Sequence, residues 1–380
     1  MKIGIDIRNI GKKRTGDEAV FLNLVKNLAE IDSQNEYLLF TDITDAAILR
    51  DMVAEPLGIA NRRNLKIVPL KCLNKFTWNF WTLPNYLRKN PVDIYLTQYI
   101  TPFFVSKKVK IVTIIHDLSF NFYPRFIKKT DLFFLKTLIP ISLKRADKII
   151  GVSRFTRDEI IKYYKISPEK ADWIHNAVSK DFLSQDASDE KIKLVKKKYK
   201  LPDKYILYIG TLQPRKNLPV LIEACTGIKE KLGNIKLVIA GGRGHNYDPR
   251  IDKAVSKCGL EKTAVFPGFI DEEDKAALMA GAQIFCFPSL YEGFGIPILE
   301  AMSAGTPVVA SNIAPHREIA ENSALFFDPR NPQALGQQIE KLCRDENLRQ
   351  ELAQKGKNRV QNFSWEKTAE KMLFIFNSLH

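Results

Sequence analysis

The chain has 380 residues, 45% of them hydrophobic and 27% charged, a balance that excludes intrinsic disorder and leaves room for two domains with substantial cores. Its 58 Lys+Arg against 43 Asp+Glu give a formal charge of +15, which points to attraction toward a polyanion. No uninterrupted apolar run approaches the ~20 residues needed to cross a bilayer, and the segment MKIGIDIRNIGKKR lacks the apolar core of a signal peptide, so a cytoplasmic location is expected.

In chain order, KIGIDI (2–7), EYLLF (36–40), LKIVPL (65–70), VDIYL (92–96), KIVTII (110–115) and KIIGV (148–152) read as strands of one open α/β domain, separated by helical patterns. A second series follows the charged, apolar-poor segment from Ser184 to Asp203: YILYIG (205–210), KLVIAG (236–241), AVFPG (264–268), QIFCF (283–287), TPVVA (306–310) and ALFF (324–327). The pattern alone is compatible with two domains or with one large sheet. The five cysteines (Cys72, Cys225, Cys258, Cys286, Cys343) have no metal-ligand spacing and are expected to be reduced. The acidic run Asp271-Glu272-Glu273-Asp274 directly precedes a helical pattern and reads as an N-terminal cap rather than a metal site.

Two constellations carry chemistry. In FPSLYEGFGIPILEAMSAGTPVV (287–309) a buried strand ends in Pro288-Ser289, and the loop after it leads into a helix. Gly293 and Gly295 allow close backbone approach, Pro297 suits a first helical turn, and backbone donors from Gly293 through Phe294 and Gly295 to Ile296 suit a phosphate. Glu292 and Glu300 flank that turn. A carboxylate beside a diphosphate makes sense where it accepts from neutral hydroxyls such as those of ribose; the alternative is that both acids only stabilise a helix dipole. In YILYIGTLQPRKNLPVLIEA (205–224) a strand and a Gly210 turn are followed by Arg215 and Lys216, a pair suited to a diphosphate leaving group, or else a solvated basic turn.

GTLQPRKN, PSLYEGFGIPILEAMSAGTPVVAS and FSWEKTAEK together resemble the retaining nucleotide-sugar glycosyltransferases of family 4, over nearly the whole chain. The resemblance is greatest to bacterial mannosyl- and glucosyltransferases of surface-polysaccharide assembly. It implies the GT-B architecture: α/β, two doubly wound Rossmann-like domains facing an interdomain cleft. The expected division is an acceptor-side domain over 1–183, a linker over 184–203, a nucleotide-sugar domain over 204–362 and a final helix over 363–380 returning to the first domain. Its Met372, Leu373, Phe374 and Phe376 need a partner surface.

The implied reaction moves a hexosyl group from a nucleoside-diphosphate sugar to a saccharide or lipid-linked saccharide hydroxyl, with configuration retained. In it Arg215 and Lys216 stabilise the leaving diphosphate, Glu292 orients sugar hydroxyls, Glu300 holds ribose, and His116, at the end of an apolar strand, contacts the donor sugar. The family's early glycine-bearing turn is here Thr15-Gly16-Asp17-Glu18; Gly16 fits the pattern, whereas Asp17 and Glu18 bring negative charge that either weakens phosphate contact or begins a helix. Base selection falls to the segment from Pro267 to Ile270, including Phe269. No cofactor and no metal is expected.

A nucleotide-sugar 2-epimerase shares this two-domain plan, and a non-catalytic, membrane-associated assembly protein is a further reading. No nucleic-acid-binding motif accompanies the positive charge. KFTWNFWTLPNYLRK (75–89) and PRFIKKTDLFFLKTLIPISLKRADK (124–148) mix basic, aromatic and aliphatic residues as interfacial segments do, making an anionic membrane surface the favoured partner and the inner face of the plasma membrane a peripheral location. The competing reading places Phe133, Phe134, Leu138 and Ile141 on a helix's core face.

Overall fold

The computed structural model describes residues 1–12, 16–59, 62–244, 246–261 and 263–380. The chain divides into two compact units. The first comprises Met1–Phe122, Lys128–Asn176 and Ser364–His380; the second comprises Tyr123–Ile127 and Ala177–Phe363.

In the first unit β1 (Lys2–Asp6), β2 (Glu36–Thr41), β3 (Leu65–Pro69), β4 (Ile94–Gln98), β5 (Lys110–Ile115), β6 (Lys148–Gly151) and β7 (Ala171–Trp173) form a parallel sheet in the order β3-β2-β1-β4-β5-β6-β7. Every strand expected there is present. The edge strand β7 is an addition that the sequence does not announce, because three residues are too few to show a period. In the second unit β8 (Tyr205–Ile209), β9 (Lys236–Ala240), β10 (Ala264–Gly268), β11 (Ile284–Phe287), β12 (Val308–Ser311) and β13 (Ala324–Phe327) are also parallel, in the order β10-β9-β8-β11-β12-β13. Both sheets are covered by helices on their faces, so the strands are apolar runs: all of Tyr205–Ile209 and all of Ile284–Phe287 are buried.

Each strand order reverses once, at β1/β4 in the first unit and at β8/β11 in the second. The connections leaving these strands diverge to opposite sides, opening a crevice at their carboxyl ends where ligands of α/β sheets gather.

The segment 184–203, expected to be a linker, contains the helix Asp189–Lys198 within the second unit. Its apolar content is low, but Ser188 accepts the Lys191 N–H as an N-cap, Asp189 and Glu190 fill the first turn, and Lys196, Lys197 and Lys198 fill the last. It is held by Asp274, whose carboxylate lies 2.7 Å from Lys191 Nζ and 2.5 Å from Lys198 Nζ. The acidic run 271–274 therefore anchors a neighbouring helix; Asp271 makes no side-chain cap bond.

The final helix, Trp365–Asn377, lies in the first unit and packs on the helix Gly16–Ile31. Thr368, Met372, Ile375 and Phe376 are buried at helical spacing, while Phe374 points away and is exposed.

Candidate functional site

The loops leaving β8 and β11 meet at the switch point of the second unit. After β8 the chain makes a tight turn, Pro214–Lys216, ended by Asn217 in the left-handed region (φ 58°). The Asn217 amide donates to the carbonyls of Pro288 (3.1 Å) and Pro329 (2.7 Å), and the Leu290 N–H donates to the carbonyl of Arg215 (2.9 Å). Two of these hydrogen bonds fix the basic turn against the loop after β11, and the one to Pro329 ties it to the loop after β13. Gly241, at the end of β9, is a glycine for a steric reason: a Cβ there would lie 2.1 Å from the Gly210 carbonyl oxygen.

This docking brings Arg215, Lys216 and Glu292 together. Arg215 Nη1 lies 2.6 Å from Glu292 Oε2 and donates to the Tyr291 carbonyl at 2.7 Å; Lys216 Nζ lies 2.5 Å from Glu292 Oε1. Lys216 Nζ also sits 5.0 Å from the centre of the Phe287 ring. All three charges are largely removed from water. Burial pushes the Glu292 carboxyl up, but Arg215 and Lys216 outweigh it and hold the group well below the ordinary carboxylate range. Two cations against one carboxylate leave the cluster with an excess positive charge. The expectation of a solvated basic turn does not describe Lys216, which is 9% exposed.

Beside the cluster begins the helix Ile296–Ser303, preceded by Gly295 at φ 140° and without a side-chain cap. Its amino end adds the partial positive charge of aligned backbone N–H groups. Gly293 is buried, and the Phe294 ring packs edge-on against Phe363 with centroids 6.1 Å apart, so Phe294 contributes to this turn through its backbone. Ile296 is half-buried. Glu300 lies in the second turn of the helix, whose first turn holds no acid. The helix-dipole reading therefore fails for it. Its Oε1 accepts from Lys275 Nζ at 2.7 Å, whereas Oε2, also buried, has no partner among the described residues.

His316 is a component that sequence reasoning missed. It is fully buried on the helix Ala314–Ala320, its ring is 5.3 Å from that of Phe287, and Nδ1 lies 3.0 Å from the Ser311 carbonyl. Nδ1 is therefore the protonated nitrogen and donates. Burial lowers its pKa to about 4, with Lys216 and Arg215 contributing in the same direction against Glu292 and the Ser311 carbonyl. A lone histidine after β12 carries no motif that could have marked it. Phe269 follows β10, two strands from β8, and is 56% exposed.

In the first unit, the crevice at β1/β4 gathers a second set. His116 follows β5, is mostly buried, and has Nε2 2.9 Å from Gln98 Oε1 at the end of β4. Asp17 Oδ1 lies 3.7 Å from His116 Nδ1. Of the early turn, Thr15 lies outside the described residues. Gly16, Asp17 and Glu18 open the helix Gly16–Ile31, and Glu18 Oε1 accepts the Gly11 N–H at 2.7 Å. The two acids thus begin a helix, which is one of the two roles expected for them. A Cβ on Gly16 would meet nothing within 4 Å, so nothing in its packing requires a glycine.

Known proteins place this arrangement. The model of the Glycosyltransferase Family 4 domain matches residues 15–182, and that of Glycosyl transferases group 1 matches residues 189–359. The chain is 33% identical over 257 residues to the O-antigen chain mannosyltransferase B of Escherichia coli, covering 67% of each. The chain belongs to the family 4 glycosyltransferases. It is also 34% identical over 238 residues to the serotype-specific mannosyltransferase WbdA of Escherichia coli, matching 62% of this chain but only 29% of that protein's length. Among solved structures, Anabaena Alr3699/HepE in complex with UDP-glucose superposes with a TM-score of 0.73 at 19% identity, covering 100% of both chains. The fold is GT-B, and the enzyme is a glycosyltransferase.

Proposed function

We propose that this transferase moves a hexosyl group, mannose or glucose in type, from a nucleoside-diphosphate sugar to a saccharide or lipid-linked saccharide hydroxyl, retaining the anomeric configuration. The observation that carries the reading is the Arg215–Glu292–Lys216 cluster at the sheet's switch point. Its excess positive charge sits beside an uncapped helix terminus, as a diphosphate requires. As the sugar–phosphate bond breaks, negative charge collects on the diphosphate, and preplaced cations stabilise it without reorganisation. Glu292, held as a carboxylate by those cations, accepts from sugar hydroxyls; Glu300 accepts from ribose. His116 is assigned to the donor sugar and Phe269 to the base. The relatives named above are mannosyltransferases, which favours transfer over epimerisation and over a non-catalytic role.

Transfer in this reading needs no metal. Arg215 and Lys216 supply the charge that a divalent ion would otherwise provide. Activity should stay within about twofold after exhaustive chelation.

An anionic membrane surface is the proposed site of action. No described helix is long and apolar enough to cross a membrane. In the first unit, however, Leu73, Trp81, Phe104 and Phe133 are all more than two-thirds exposed. Phe80 stacks on Phe103 at 4.2 Å and Phe76 meets Phe134 at 4.6 Å, joining three segments into one patch with Lys75 among them. Phe133 and Ile141 are exposed; Ile139, Ser142 and Leu143 form the helix's core face instead.

Calorimetric titration with GDP, UDP and ADP, without metal, tests the donor assignment. Selective binding that is lost in a folded Arg215→Ala/Lys216→Ala variant supports it and names the donor to screen for transfer; no binding by the folded wild type overturns it.

A further inference from the structure

We propose that Lys275 is a positioning residue for nucleoside recognition, one that ties down one oxygen of Glu300 so that the other is presented to a vicinal diol. The inference rests on the assignment of Glu300 to ribose and extends it to a residue outside the glycine-turn and Arg-Lys motifs. Glu300 is 6% exposed. Its Oε1 is taken by Lys275 Nζ at 2.7 Å, and its Oε2 is buried without a partner among the described residues. A buried carboxylate oxygen without a donor is costly, and a ribose hydroxyl supplies the donor it lacks. The single-point contact matters, because a carboxylate with both oxygens engaged by protein groups would have less left to accept with.

Lys275 is itself fixed from several sides. Its Nζ lies 3.5 Å from Glu272 and 5.8 Å from the centre of the Phe182 ring. Burial opposes its ammonium, but Glu300 and Glu272 outweigh burial and raise its pKa. The preceding residue, Asp274, is clamped by Lys191, Lys198 and the Tyr199 hydroxyl, and the following N–H, of Ala276, donates to Gln185 Oε1 at 2.9 Å. The segment expected to be a linker thus sets the backbone from which Lys275 reaches Glu300. The ammonium also cancels the Glu300 charge, which would otherwise repel a diphosphate bound near the same helix.

The test is the preference of the purified chain for a ribonucleoside diphosphate over its 2′-deoxy and 2′,3′-dideoxy counterparts, measured by calorimetry with whichever of GDP, UDP or ADP binds best. The wild type is expected to favour the ribose form by about tenfold or more, the value of a hydrogen bond to a charged group. Glu300→Gln should lose most of that preference. Lys275→Met should reduce it to less than about threefold, and Lys275→Arg should restore it. Lys275→Leu, which also cannot donate, serves if the Met variant fails to fold, with the same expected loss. If Glu300→Gln loses the preference while folded Lys275→Leu or Lys275→Met keeps it, the role of Lys275 is refuted and the ribose assignment stands. If the wild type shows no preference, or Glu300→Gln retains it, the ribose assignment fails and this inference with it.

Discussion

The two switch-point crevices of this chain are built to the same strand plan and filled with different chemistry. At β8/β11 the side chains are charged, buried and ion-paired within the protein: Arg215 and Lys216 on Glu292, Lys275 on Glu300. At β1/β4 His116 Nε2 lies within hydrogen-bond distance of Gln98 Oε1, and Asp17 nearby is about half exposed. A buried ion cluster is ordered before any ligand arrives and breaks badly when one member is removed; a hydrogen-bonded, partly solvated set tolerates substitution better. The second unit is thus suited to gripping a fixed, highly charged group.

The contrast can be broken most severely at the cations. Arg215→Ala/Lys216→Ala should lower the initial rate of sugar transfer by about 10³ or more, in the range seen when preorganised charge stabilisation is removed, and should strand Glu292 as a buried carboxylate. Glu292→Gln in the same background should recover thermal stability without recovering rate.

The next effect is on acid stability and belongs to the second unit. His316 has a folded pKa of about 4 against an unfolded value of 6.5, so between these values the unfolded chain binds a proton that the folded chain does not. Its contribution is fully present above pH 6.5 and is lost as pH falls toward 4, amounting to about 3 kcal/mol in all. Denaturant titrations across that window should show the loss, and His316→Asn, which keeps a donor for the Ser311 carbonyl, should flatten that part of the curve. In the first unit, His116→Asn should reduce kcat by about tenfold with a smaller change in melting temperature than Lys216→Ala produces. Smallest is the surface patch: Trp81→Ser with Phe133→Ser should weaken co-sedimentation with anionic vesicles by about tenfold and leave the far-ultraviolet circular dichroism unchanged. Equal vesicle binding by this variant and the wild type would remove the membrane proposal.

Much of this was readable along the chain because the relevant signals are local. Buried parallel strands are continuous apolar runs, so twelve of the thirteen strands stand where their sequence pattern places them; β7 is too short to carry a pattern. Arg215-Lys216 and Glu292 were visible because glycine turns and adjacent charges mark them within a few residues. His316, Gln98 and Lys275 were not. Each is an ordinary residue in its own neighbourhood and acquires a role from what lies across the sheet or on the next helix. The segment 184–203 misled for the opposite reason: its composition resembles a linker, while its caps and charge order make a helix.

The sequence by itself determined the strands and the residue types available for gripping a diphosphate, because periodicity and turn chemistry act over a few bonds, whereas the division of those strands between two sheets is a tertiary fact. Only the tertiary structure decided that Glu292 is held between two cations, that Glu300 offers one oxygen rather than two, and that His316 is kept neutral. Those outcomes depend on distances and burial between residues far apart in the chain, where electrostatics and desolvation operate through space rather than along the backbone.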